Sequence, residues 1–289
     1  MKRVSLLDET FDPCQASNYD LLVAPERFGI KVAVHDLVRK KFIVLIAFPY
    51  PIADDTDWQD AFTALFRTYP WLAAHFRSVR IGWRGRNYTL LPKDFFVPAE
   101  AKILLSRLSY VREYDTLYYN RIATDIILLF AIPSELIQAL VKAFTHFTVL
   151  HQETTLLRLA LQHFRKSPCV LVHMVQDFVS ASLVSSGQLL QHNAFDAYEP
   201  TDVLYYVAAF MQAPQAPTNL TYRIVGNGIH LPSQPKEERF LNCRTTDESI
   251  REYYPRYEHA ITPPDHSFAY SLEPYREAAI GLFSLLFGD

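Results

Sequence analysis

Apolar and polar positions along this chain fall into short blocks that predict strands first and helices between them. Residues 19–24 (YDLLVA) form an apolar run that stops at Pro25, Glu26 and Arg27. Residues 28–36 (FGIKVAVHD) alternate, with Ile30, Val32 and Val34 on one face and Lys31, Ala33 and His35 on the other, the two-residue period of a strand. Residues 41–50 (KFIVLIAFPY) are apolar on both faces, as in a strand covered from both sides. Asp54, Asp55 and Asp57 then offer helix-capping carboxylates ahead of WQDAFTALFRTYPWL, whose Trp58, Phe62, Leu65 and Phe66 share one helical face. SVRIGW and NYTLL, on either side of Arg84, Gly85 and Arg86, read as a further strand pair, and the residues before Tyr19 read as a loosely ordered arm.

The same grammar returns later. Residues 169–175 (CVLVHMV), 178–185 and 188–195 predict three strands, broken at Gln176-Asp177 and at Ser186-Gly187. Glu199, Pro200 and Thr201 open a helix over DVLYYVAAFMQ, and residues 220–225 supply another strand. Strand, strand, strand, helix, strand thus occurs twice, as a repeat of pattern rather than of residue identity. Between the copies lie a strand over 125–132, a helix in ELIQALVKAFTHF, and a second helix over 151–165 with Leu157, Ala160, Leu161 and Phe164 as its buried stripe. Residues 272–287 predict an amphipathic closing helix. Alternating strand and helix blocks imply an α/β fold with mixed sheets flanked by helices.

Two three-stranded meanders, each followed by a helix and a strand, resemble the duplicated ribonuclease-H-like fold of the actin, sugar-kinase and Hsp70 superfamily. Two segments sharpen the likeness. GQLLQHNAFDAYEPTDVLYY (187–206) and NYTLLPKDFF (87–96) resemble stretches of an uncharacterised bacterial family with an actin-like ATPase fold. The resemblance implies two lobes, residues 1–124 with the arm and residues 125–289 with the linking and C-terminal helices.

Members of that superfamily that use ATP grip phosphate and magnesium with an Asp-x-Gly turn in each lobe, where an acid serves the metal and glycine lets amides approach phosphate oxygens. In the first lobe the corresponding turn holds Pro25, Glu26, Arg27 and Gly29; proline removes an amide donor there. In the second lobe Asp177 is kept, but Phe178 and Val179 follow it. The superfamily's adenosine turn would fall on Gly226, Asn227 and Gly228. The reading is therefore a pseudo-ATPase, non-catalytic and without a cofactor, acting as a scaffold. The alternative is a nucleotide-dependent switch or phosphotransferase with ATP and magnesium, Asp177 being its acid. Asn193 joins Glu26, Arg27, Gly29, Asp177 and residues 226–228 as a ligand candidate in the cleft between lobes.

Composition adds limits. The chain has 289 residues, 49% of them apolar, a formal charge of −3 and only 8 glycines, which disfavours a global attraction for nucleic acid and phosphate cradles built from glycine. Cys14, Cys169 and Cys243 show no CxxC spacing, and the histidines form no HxH or HExxH, so no metal site is expected. The opening MKRVSLLDETFDP lacks the apolar core of a signal peptide, and the run 42–48 is far below the ~20 residues that span a bilayer. The expected setting is the cytoplasm. Arg77, Arg80, Arg84 and Arg86 surround Trp83, a mixture that binds single-stranded nucleic acid when exposed but reads here as a solvated strand face. Near residue 195, Phe195, Tyr205 and Tyr198 are expected in the core, with Asp202 in the first turn of its helix. No nucleophile elbow or Gly-rich phosphate motif occurs. The aromatic load, with 17 tyrosines, suits docking of an unidentified protein partner or self-association.

Overall fold

The computed structural model describes residues 3–163, 165, 168–175, 178–196, 200–211, 221–226 and 267–268. They form two compact units that divide between Thr155 and Leu156. The first holds β1 (Val4–Leu7), β2 (Tyr19–Glu26), β3 (Gly29–Asp36), β4 (Lys41–Pro49), α1 (Asp57–Thr68) and β5 (Ser78–Trp83). It continues through β6 (Tyr88–Pro92), α2 (Ala101–Ser106), β7 (Thr116–Arg121), β8 (Ile126–Ile132), α3 (Ser134–Ala143) and β9 (Thr148–His151) to the first turn of α4 (Gln152–His163). The second unit holds the rest of α4, β10 (Cys169–Val175), β11 (Phe178–Ser185), β12 (Gln188–Asp196), α5 (Pro200–Met211) and β13 (Thr221–Gly226). A last short strand, β14 (Ser267–Phe268), pairs in parallel with the start of β4.

In the first unit the main sheet runs β1-β4-β3-β2-β5-β9. The meander β2-β3-β4 is antiparallel, and β5 and β9 join in parallel. β4 is buried from Phe42 to Phe48, as its two apolar faces require; each such side chain contributes about 1.5–3 kcal/mol. β3 alternates in sequence yet is buried throughout, including Lys31, His35 and Asp36. Asp36 is used at the strand end: its Oδ1 accepts from the N–H groups of Val38 and Arg39 at 2.8 and 3.0 Å, tightening the turn in which Lys40 takes a φ of 55°. α1 lies against β3 and α3, burying Trp58, Ala61, Phe62 and Leu65.

Two readings of this unit need correction. The arm before Tyr19 is ordered: β1 pairs antiparallel with β4, and a 3-10 turn over Pro13–Asn18 is capped by Asp12. A four-residue edge strand carries too little pattern to stand out in sequence. The two strands flanking Arg84, Gly85 and Arg86 do not pair with each other. β5 lies beside β2, whereas β6 pairs with β8 in a separate sheet of order β6-β8-β7. α2 covers that sheet through Ala101 and Leu105, packed with Leu91, Ile127 and Leu129.

The second unit repeats the core of the first. Its sheet runs β12-β11-β10-β13, with an antiparallel meander and β13 parallel to β10, matching β4-β3-β2-β5 strand for strand. Even the irregularity recurs. The register slips between Val34 and His35 in one unit and between Leu183 and Val184 in the other, skipping Ile43 and Leu190, each the third residue of its strand. A bulge at the same step of both meanders bends the outer strand in the same place. α5 packs on β10 and β11. In α4, Leu156, Leu157, Leu159 and Ala160 are fully buried; Phe164 and the expected closing helix over 272–287 lie outside the described residues.

Candidate functional site

The carboxyl ends of the parallel strands β2 and β5 open onto a cavity of about 630 Å³ within the first unit, the side of an α/β sheet on which ligands commonly bind. Its walls come from the β2–β3 turn, the loop before α1, the segment after β5, and the loop that carries Tyr110, Arg112 and Asp115. The turn is a two-residue hairpin: Glu26 pairs with Gly29 across it, and Gly29 takes a φ of 146°, a conformation that side chains disfavour. The Arg27 carbonyl accepts from Ile52 N–H at 2.8 Å, and the Phe28 carbonyl from Tyr50 N–H at 3.1 Å. These bonds hold the loop before α1 beside the turn.

The Glu26 carboxylate is engaged within the protein. Lys31 Nζ donates to its Oε1 at 2.9 Å, and Arg84 Nη1 stands 3.9 Å away. Both cations are nearly buried, which makes such a pair a structural element that is costly to break. Arg112 clamps the opposite wall. Its guanidinium meets Asp55 at 2.8 Å, Asp115 at 2.9 Å and Glu135 at 3.2 Å. Burial works against its charge, but the Asp115 hydrogen bond and the three carboxylates outweigh this and raise its pKa. The floor is aromatic. Trp58 and Trp83 meet edge to face at 6.4 Å, Trp83 Nε1 donates to the Ala131 carbonyl at 3.1 Å, and a Cβ on Gly85 would lie 2.6 Å from that nitrogen.

Behind the loop after β5 lies a buried polar knot that sequence reading missed. His151 is fully buried between the rings of Tyr88 and Phe130, at 4.6 and 5.1 Å. Its Nδ1 accepts from the Glu153 N–H at 3.3 Å, so the neutral ring carries its proton on Nε2 and donates it to the Gly85 carbonyl at 3.0 Å. Burial, reinforced by the Glu153 charge, holds the Tyr88 phenol well above its ordinary pKa. Nothing in a His-Gln-Glu-Thr run at a helix start advertises such a knot; it is assembled by residues from 85 to 154.

Of the expected site residues, Glu26 and Arg27 line the cavity and Gly29 closes the hairpin beneath it. Asn193 is exposed in β12 of the second unit, its Oδ1 accepting from the Ala194 N–H at 2.9 Å. Gly226 ends β13 opposite Met174, and Asp177, Asn227 and Gly228 lie outside the described residues. The arginine stretch is a solvated face only in part: Arg77 and Arg86 are exposed. Arg80 and Arg84 are buried, and Arg77 grips Asp20 through Nε and Nη2 at 3.0 and 3.1 Å. Around Phe195 the packing partner is Tyr206, stacked at 3.9 Å, while Tyr205 is 70% exposed, a reversal of the expected choice; Tyr198 lies outside the described residues. Tyr206 and Phe210 share the helix face that meets β12 because they are four residues apart. Cys14 and Cys169 are free thiols. Among the described residues no three His, Cys, Asp or Glu side chains converge as a metal site, and no helix is long and apolar enough to cross a membrane.

Solved structures share this architecture across nearly their whole length. A Bacteroides thetaiotaomicron protein described as having an actin-like ATPase fold and unknown function aligns with a TM-score of 0.74 at 15% identity, over 97% of this chain and 100% of that one. A PilM-PilN type IV pilus biogenesis complex aligns at 0.57 and 10% identity, over 93% and 98%. The ethanolamine utilization protein EutJ from Carboxydothermus hydrogenoformans aligns at 0.52 and 7%, over 98% and 93%. The fold is thus the duplicated, actin-like ATPase fold. No curated protein sequence matches the chain. The family model of DUF3822, described as a protein of unknown function, matches residues 8–219, and the chain belongs to that family.

Proposed function

We propose that this protein is a non-catalytic binding protein, a scaffold on an actin-like fold whose phosphate-gripping turns have degenerated, working in the bacterial cytoplasm. The observation that carries this reading is the Glu26 carboxylate, held at 2.9 Å by Lys31 in the turn where a nucleotide-using relative needs an acid for its metal. Pro25 precedes it and Arg27 follows, so the turn offers neither a free acid nor a run of amides. The pilus biogenesis complex has the same fold within a protein assembly, which fits a docking role.

Thermal melting with millimolar ATP or ADP and magnesium tests it. A ligand at ten times its Kd adds about 1.4 kcal/mol, which lifts the midpoint of a chain of this size by roughly 3–6 °C. The binding-protein reading expects no shift. A shift of that size, lost in Asp177→Ala, would establish the alternative, a nucleotide-dependent switch or phosphotransferase with Asp177 as acid and residues 226–228 as the adenosine turn.

A further inference from the structure

We infer that the outer edge of β12 is a self-association site, at which two copies of this chain pair antiparallel through residues 191–194. The duplication points to it. In the first unit the strand equivalent to β12 is β4, and its outer edge is taken. β1 pairs with residues 44–47, the four that follow the bulge at Ile43, and β14 pairs with Lys41 and Phe42. In the second unit the four that follow the bulge at Leu190 are residues 191–194. There β12 ends the sheet, with no further strand beside it among the described residues. A nine-residue strand at the end of a sheet is a template for another strand.

Side chains mark the same edge. Leu190 and Tyr205 are the large apolar residues left exposed among the described residues of the second unit. Leu190 belongs to β12 itself. The Tyr205 ring meets Tyr206 at 5.4 Å, and Tyr206 stacks on Phe195 of β12 at 3.9 Å. Apolar surface thus gathers beside the strand, as it does at an interface.

The occupant is a second copy because the strand is suited to facing itself. Natural edges keep copies apart with lysine, other charges or proline, and residues 188–195 (QLLQHNAF) carry none of these. The bulge does not protect the edge either, since β4 bears the same bulge and is paired. A two-fold pairing centred on His192 sets Gln191 against Asn193 and Leu190 against Ala194 of the second copy. Polar then meets polar and apolar meets apolar, with no like charges opposed at neutral pH. At the axis each His192 stays anchored to its own sheet, its Nδ1 2.8 Å from the Ser182 hydroxyl.

The test is sedimentation velocity of the full chain from about 1 to about 300 µM, a range suited to an interface below standard size. A reversible monomer–dimer equilibrium is expected. Its Kd should rise at least tenfold in Asn193→Lys and in Leu190→Lys, exposed positions whose variants should melt like the parent. It should stay unchanged in Leu108→Lys, an exposed apolar position of the first unit. Where a lysine variant fails to fold, hydrogen exchange of the parent decides: amides of residues 191–194 should slow as concentration rises. A chain that stays monomeric throughout, a dimer unmoved by both β12 lysines or weakened equally by Leu108→Lys, or exchange independent of concentration would overturn the inference. None of these readouts involves a nucleotide, so the reading of the first unit's turn stands or falls separately.

Discussion

Asn120 of β7 completes the open edge of β9 at His151. Its Oδ1 accepts from the His151 N–H at 2.8 Å, and its Nδ2 donates to the Val149 carbonyl at 3.2 Å. One side-chain amide thereby stands in for the next strand and ties the small sheet to the edge of the main one. Asn120→Ala leaves a backbone donor and acceptor of β9 unserved and should cost about 1–3 kcal/mol, read as a lower midpoint in urea denaturation. Asn120→Asp keeps the acceptor and should recover part of the loss.

Gly85→Ala tests the cavity floor. The added methyl meets Trp83 at a nitrogen already committed to the Ala131 carbonyl, so the indole cannot yield without giving up that bond. The expected cost is about 1–3 kcal/mol, with a changed near-ultraviolet circular dichroism signal from the tryptophans.

In the second unit two aromatics of α5 should behave oppositely. Phe210 is buried against Phe195, and Phe210→Ala should destabilise by about 3 kcal/mol. Tyr205 is exposed, and Tyr205→Ala should stay within about 0.5 kcal/mol of the parent. Equal losses in chemical denaturation would mean that the helix is rotated from the orientation described.

Alkaline stability should report on Tyr88. Its phenol is raised above the ordinary value of 10.0 by burial and then by Glu153, so the folded state keeps its proton where the unfolded chain releases it. Stability from this group is complete below about pH 10 and declines as pH rises past that value. Tyr88→Phe should show a shallower decline over the same range, measured as urea midpoints between pH 8 and 11.

Much of this protein was legible in its pattern. The alternating run of β3, the doubly apolar run of β4 and the face of α1 mark the first meander, and the same succession in β10 to β13 marks its copy. Such elements are read from sequence because neighbours along the chain share one burial environment. Partnership is a different matter. That Lys31 would be buried on Glu26, that Arg80 and Arg84 would turn inward, and that Tyr206 rather than Tyr205 would meet Phe195 depend on what lies across the sheet, which no local period encodes. The cavity belongs to the same class: residues 25–27, 52–58, 83–87 and 110–115 become neighbours only when β5 leaves β6 to lie beside β2. Strand order is set by long-range pairing, and long-range pairing brought the arginines and indoles of the site together.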